Sequence, residues 1–240
     1  MSIWGKIADA VSGLTAPEGP LGGIFEGLNR LLTSSDDDAS EADKQVAFTI
    51  GVIALGAKMA KADGVVTRDE VRAFKHVFRV PESEAQNVGR VFNLARRDME
   101  GYESYAKQVA RLFKNDQEML HNILDALFYI AKADNVLHDS EKAYLATVAR
   151  LFSISEIEFR YILARNTEDE RPDAYEVLGV SPKISDEDLR KHYRKLMIDN
   201  HPDKLMARGL PQEMIDLATS KIARFNNAYD VIRQQRQLTA

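Results

Sequence analysis

A histidine, a proline, an aspartate and a lysine form an unbroken run at residues 201–204. Proline lacks a backbone N–H and restricts the residue before it to extended angles, so we expect the chain to turn here. The turn should leave His201 and Asp203 exposed on a rigid corner. Such a pair can imitate part of a catalytic dyad, but no nucleophile accompanies it, so the run favours a binding site. An alternative is that His201 only caps a helix.

The segment before this corner is predicted to be a helix with two distinct faces. Ser185 suits its N-cap, and the acidic residues that follow suit the first turn of a helix. At about 100° per residue, the apolar side chains fall on one arc and the cations on the opposite one. These four cations are Arg190, Lys191, Arg194 and Lys195. A final helix, beginning near Pro211 and carrying Phe225 and Tyr229, is expected to pack back on the apolar arc as an antiparallel hairpin.

These segments resemble a J domain. The match rests on Ala-Tyr-Glu-Val-Leu-Gly-Val (174–180), Tyr-Arg-Lys-Leu (193–196), His-Pro-Asp-Lys (201–204), and Phe225 with Asn-Ala-Tyr (227–229). The sequence is also similar to the DjlA-type, DnaJ-like co-chaperones through Asp-Lys-Leu (203–205), Ala-Arg-Gly-Leu-Pro (207–211) and Glu-Met (213–214). This resemblance implies that His201, Pro202, Asp203, Lys204 and the four cations dock on a DnaK-type heat-shock chaperone and favour ATP hydrolysis there. It implies no chemistry and no cofactor in the chain itself.

Four carboxylates recur in an internal repeat earlier in the chain. Asp63 and Glu70 stand in one copy, and Asp134 and Glu141 occupy the matching positions of the other. Each copy contains Ala-Lys-Ala-Asp followed by Gly-Val or Asn-Val, and each is predicted to be a helix, a tight turn and another helix. These acids could hold a divalent ion. However, an EF-hand alternates oxygen ligands over twelve positions, and these segments do not.

Helix capping offers a second interpretation of the same acids. Thr67 and Glu70 have the spacing of a capping box, and His138 and Glu141 form a weaker version of it. Gly64 and Asn135 are residues that tolerate the left-handed conformation at a helix end. Caps therefore account for the repeat, and we favour them over ion binding.

The repeat, in an all-helical block at about residues 45–165, resembles the TerB domain of tellurite-resistance proteins, for which divalent-ion binding has been proposed. DjlA-type proteins also join a TerB-like region to a C-terminal J domain. We therefore predict an all-α protein with an amphipathic segment and linker at residues 1–40, a TerB-like domain at 41–166 and a J domain at 172–240. The front domain would serve targeting or client binding, with a client that the sequence does not identify. The alternative is an ion- or stress-linked TerB-type scaffold with an accessory J domain.

Composition excludes several other classes of function. There are no cysteines among the 240 residues, so disulfides and thiolate chemistry are excluded. Residues 172–240 carry 11 Lys and Arg against 10 Asp and Glu, and the rest carries 21 against 27, so no basic footprint for nucleic acid appears. The five histidines make no metal-ligand pair, and no phosphate loop or nucleophile elbow occurs. We expect no enzyme.

The sequence predicts no membrane span. The longest uncharged stretch, between Lys44 and Lys58, is shorter than the roughly 20 residues a span needs and indicates a buried helix. DjlA-type proteins carry an N-terminal span, where this chain has an amphipathic segment at Ile3–Leu14. That segment could lie on a membrane surface, but we favour docking on the protein or a partner. We expect a cytoplasmic protein.

Overall fold

The computed structural model describes residues 41–62, 101–132, 136–167, 173–207, 210 and 212–237. Within these ranges every regular element is an α-helix and no strand occurs, so the predicted all-α fold is confirmed. The chain divides into two compact units, Met1–Ser153 and Ile154–Ala240. The first unit contains α1 (Glu41–Ala62), α2 (Tyr102–Leu112), α3 (Gln117–Ala131) and α4 (Asp139–Leu151). The second contains α5 (Glu156–Asn166), α6 (Ala174–Leu178), α7 (Asp186–Asp199), α8 (Pro202–Ala207) and α9 (Gln212–Gln235).

The first unit is built around α1, whose residues 46–59 are all buried. A helix that is apolar on every side must be surrounded by other elements, and α1 packs against α2, α3 and α4. The approach of α2 is close, because a Cβ added at Gly51 would lie 3.3 Å from Val109 Cγ2. The buried helix predicted from the uncharged stretch is therefore confirmed.

One buried hydrogen bond ties α4 to α1. The hydroxyl of Tyr144 donates to the carbonyl oxygen of Leu55 at 2.8 Å. Burial raises the pKa of Tyr144 well above its ordinary value, because the charged phenolate would lose its hydration. The hydroxyl therefore stays protonated and remains a donor over the physiological pH range.

In the second unit, α7 and α9 form the predicted antiparallel hairpin around an apolar core. Leu189 of α7 and Phe225 of α9 are buried in the same cluster. The short helix α6 and the residues after it close the cluster with Ala174, Val177, Leu178 and Val180. Toward the surface, the rings of Tyr193 and Tyr229 stack with their centroids 3.9 Å apart. The hairpin is therefore held by apolar side chains along its length.

The turn after α6 requires its glycine. Gly179 has φ +70°, a left-handed conformation that costs other residues energy, and it ends α6. A Cβ there would also lie 3.2 Å from Cδ2 of Tyr161 on α5, because α5 packs against α6. A second link is the ion pair of Arg160 with Glu176, 3.8 Å apart. Helix α5 is thus part of the same unit as the hairpin.

Arg236, just after α9, ties the loop between α6 and α7 to the end of the hairpin. Its guanidinium donates four hydrogen bonds of 2.7–3.0 Å, to the carbonyl oxygens of Pro182 and Ile184, the carboxylate of Asp186 and the hydroxyl of Tyr175. A planar guanidinium with five N–H donors suits such a set of acceptors. The start of α7 is therefore fixed against α9 at the end away from the corner.

Candidate functional site

The predicted capping of α7 is confirmed. The hydroxyl oxygen of Ser185 accepts a hydrogen bond from the backbone N–H of Asp188 at 3.1 Å. The acidic side chains of Asp186, Glu187 and Asp188 stand in the first turn, where the helix dipole favours negative charge. This local chemistry starts the helix at a fixed residue and so determines which side chains face outward.

The four predicted cations of α7 are all exposed: Arg190, Lys191, Arg194 and Lys195. The nearest counter-charge is Glu187, whose Oε1 lies 2.9 Å from Nζ of Lys191. Because both side chains of this pair are well exposed, at 62% and 79%, the pair contributes little and is easily exchanged for another partner. Among the described residues, α7 thus presents a basic face beside the corner. We call these four residues the basic face.

The corner itself differs from the expected simple turn. Helix α7 ends at Asp199, and a short helix, α8, begins at Pro202. Proline suits the first position of a helix because the missing N–H would have no partner there. The prediction of a turn was therefore incomplete, because the chain changes direction before Pro202 and Pro202 also begins α8. His201 stands between the two helices.

The ring of His201 caps α8 and is exposed at the same time. Its Nδ1 lies 3.3 Å from the backbone N–H donor of Asp203, and its carbonyl oxygen accepts from Leu205 N at 3.1 Å. The side chains of His201 and Asp203 remain 58% and 81% exposed, as predicted. The capping interpretation and the exposed-corner interpretation thus both hold. Because Nδ1 faces the backbone N–H of Asp203 and lies 3.7 Å from Oδ2 of the same residue, Nε2 is the ring nitrogen left for a partner.

Lys204 is not a freely exposed cation. Its ammonium donates to Oδ1 of Asp199, and the two side chains are 37% and 21% exposed. The pair spans the corner, because Asp199 ends α7 and Lys204 lies in the first turn of α8. The ion pair therefore joins the two residues that flank the segment containing the predicted docking residues His201, Pro202 and Asp203.

Of the four carboxylates predicted for an ion, Asp63, Glu70 and Asp134 lie outside the described residues. Glu141 is described and buried, and its Oε2 accepts from the backbone N–H of His138 at 2.9 Å. This is the acidic half of the capping box that the spacing predicted. Within the described ranges, no group of three or more potential metal ligands comes together.

Comparisons with known proteins match two successive parts of the chain. Residues 49–166 match the family model of tellurite resistance protein TerB, and residues 173–238 match that of the DnaJ domain. A co-chaperone protein DjlA from Coxiella burnetii is 30% identical over 75% of this chain and 74% of its own length. Those of Vibrio cholerae and Photobacterium profundum are 30% and 28% identical, covering 82% and 98% of this chain and 81% and 99% of their own. The chain belongs to the DjlA co-chaperone family. No solved structure matches significantly.

The DnaJ match covers α6–α9, and therefore both the basic face and the corner. The TerB match begins within α1 and runs through α5, although α5 packs within the second unit. In the part of the chain that the structure describes, no helix is long and apolar enough to cross a membrane.

Two features of the site were not predicted from the sequence. The first is Asp199, whose pairing with Lys204 depends on the direction in which α8 leaves α7. The second is the exposure of Ile198, 63% exposed, and Met206, 49% exposed, on either side of the corner. The start of α8 could have been predicted from the sequence, because a proline followed by residues with good helix propensity indicates the first turn of a helix.

Proposed function

We propose that this chain is a co-chaperone that stimulates ATP hydrolysis by a DnaK-type heat-shock chaperone. The observation that supports the proposal is the exposure of His201 and Asp203 at the start of α8, directly after the basic face. These groups bind and orient the partner, and the ATP chemistry belongs to the chaperone. The chain itself then performs no reaction and needs no cofactor.

Charge on α7 suits a partner surface that is acidic. An exposed array of four cations attracts such a surface over about a Debye length and fixes the orientation of the encounter more than its final affinity. The corner then contacts the oriented partner with two side chains whose backbone is set by α8. In this division of labour, the basic face controls association and the corner controls the effect on the ATPase.

For the first unit we propose targeting or client binding, which leaves the second unit for the chaperone. The alternative of an ion- or stress-linked scaffold gains no support from Glu141, since its carboxylate accepts the backbone N–H of His138. We therefore put forward no second function. A cytoplasmic location remains a prediction, and the amphipathic segment Ile3–Leu14 lies outside the described residues.

A single-turnover ATPase measurement with a DnaK-type chaperone tests the proposal. The wild-type chain should accelerate hydrolysis, and Asp203→Asn should lower the stimulation by about tenfold or more, as expected when a charged contact of an interface is removed. The control is Asp230→Asn on α9, which also removes one exposed carboxylate, 3.7 Å from Arg233, and should stimulate like the wild type. Equal stimulation by Asp203→Asn and the wild type would contradict the proposal.

A further inference from the structure

We propose that Asp199 is a positioning residue that holds the corner in its active geometry through Lys204. On this account Lys204 acts by pairing with Asp199 and does not dock on the chaperone as a free cation. The inference rests on the proposed function, and it changes the role that the family resemblance implies for Lys204. It starts from the ion pair between the end of α7 and the first turn of α8.

The backbone near the corner shows where this ion pair acts. The last hydrogen bond of α7 runs from His201 N to the carbonyl oxygen of Ile198, and α8 begins with the bond from Leu205 N to the carbonyl oxygen of His201. The first bond joins the N–H of His201 to α7, and the second joins the carbonyl oxygen of His201 to α8. The torsions at His201 set where α8 points, and α8 also packs against α9 with Leu205 buried. The ion pair of Asp199 with Lys204 adds a direct link between α7 and α8 across the corner.

The surroundings of the pair favour a fixed geometry. Asp199 and Lys204 are 21% and 37% exposed, far less than the pair of Glu187 with Lys191 on the same helix. A partly buried pair is screened less by water and salt than an exposed one, so it holds its partners more firmly. Beside it, Asn200 is buried and its Nδ2 donates to the carbonyl oxygen of Leu196, which fixes the end of α7.

The pairing also has an electrostatic consequence. The carboxylate of Asp199 offsets the charge of Lys204, so the cations presented to an acidic partner are those of the basic face. Two hypotheses then predict opposite effects of Asp199→Asn on the stimulation of ATP hydrolysis. If the pair positions the corner, Asp199→Asn lowers stimulation. If Lys204 is a docking cation, the same substitution removes a carboxylate that competes with the partner for its ammonium and raises stimulation.

The experiment uses the full chain and single-turnover hydrolysis by a DnaK-type chaperone at half-saturating co-chaperone. We expect Asp199→Asn to reduce stimulation about three- to tenfold, since one pair worth about 1 kcal/mol changes an equilibrium by roughly fivefold. Asp199→Glu should recover part of the loss, and Asp230→Asn should match the wild type. Stimulation by Asp199→Asn that equals or exceeds that of the wild type would overturn the inference.

Reversing the pair separates its two roles further. Lys204→Asp alone should lose stimulation, and the double variant Asp199→Lys with Lys204→Asp should regain part of it, because an ion pair can form again with opposite polarity. A docking lysine predicts no such recovery. The salt dependence of stimulation gives a second readout. Lys204→Met should leave the slope of stimulation against salt concentration unchanged if Lys204 does not contact the partner, and should reduce that slope if it does.

A measurement without chaperone keeps the inference testable apart from the proposed function. Hydrogen exchange of the Leu205 amide, followed by NMR, reports whether α8 stays joined to His201. Asp199→Asn should speed this exchange severalfold, whereas Asp230→Asn should leave it unchanged. An unchanged rate in Asp199→Asn would overturn the positioning role even if the wild-type chain stimulates the ATPase, and a wild type that fails to stimulate would overturn the proposed function alone.

Discussion

At the scale of single residues, His201 combines two tasks that usually fall to different side chains. One ring nitrogen accepts the backbone N–H of Asp203 and thereby fixes the start of α8. The other nitrogen, Nε2, is left for a partner. Because the first task fixes the ring, the second is offered in a set direction, and less rotamer freedom is lost on binding.

Glu141 shows how one carboxylate can satisfy a capping pattern that also resembles an ion site. Glu141→Ala should lower the free energy of unfolding by about 1 kcal/mol, and Glu141→Gln should lower it less, because an amide oxygen can still accept from His138 N. Differential scanning calorimetry of the full chain measures both. Calcium should not shift the melting of the wild type. A calcium-dependent rise in Tm that Glu141→Ala abolishes would favour the ion interpretation instead.

At the scale of helices, the sequence predicted the helix end that is set by a capping residue. Ser185 marked the beginning of α7 correctly, because its hydroxyl caps a backbone N–H only three residues away. Helix α8 was missed because Pro202 was taken only as a stop. The links through Arg236 and between Asp199 and Lys204 could not be predicted, because they form where the chain folds back and do not follow the spacing of three or four residues within one helix.

Helix α6 depends on the glycine that ends it. Gly179→Ala forces a Cβ into a left-handed backbone conformation and toward the Tyr161 ring, so it should lower the stability of the second unit by about 1–2 kcal/mol. The double variant with Tyr161→Ala relieves the steric part only. Thermal melting of the full chain compares it with Tyr161→Ala alone. If Gly179→Ala costs nothing in either background, the strain at this turn is absent.

The basic face gives a kinetic prediction for α7. Lys191→Glu with Lys195→Glu should slow association with a DnaK-type chaperone by about tenfold or more, and the wild-type rate should fall as salt rises, because exposed charges steer the encounter. Stopped-flow binding at several salt concentrations measures both effects. A matched control is Lys142→Glu with Arg150→Glu, two exposed cations of α4. Equal rates for both double variants would mean that the cations of α7 only solvate the helix.

At the scale of the whole molecule, the net charge of the C-terminal region does not reflect how its charges are placed. Residues 172–240 are nearly neutral, with 11 cations and 10 anions, so the attraction proposed for the basic face would come from the placement of charge on α7 and not from the net charge. The repeat and the J-domain segments predicted a TerB-like region followed by a J domain, and the two family models match in that order. The sequence did not predict that α5, within the TerB match, packs with α6 in the second unit.

This packing matters for where the chaperone-docking part begins. The predicted boundary, with the TerB-like domain ending at residue 166 and the J domain beginning at 172, stays a prediction, and the second compact unit begins at Ile154. The carbonyl oxygen of Arg165 on α5 accepts a hydrogen bond from Arg224 on α9. We therefore propose that residues 154–167 support the hairpin.

The central claim is that the His201 ring acts on a chaperone and does more than cap α8. The most direct test is single-turnover ATP hydrolysis by a DnaK-type chaperone with His201→Asn, because asparagine is a good N-cap residue and keeps an acceptor near Asp203 N. We predict unchanged circular dichroism and melting, with stimulation falling to the basal rate. Stimulation at the wild-type level in this variant would show that capping alone suffices and would contradict the account.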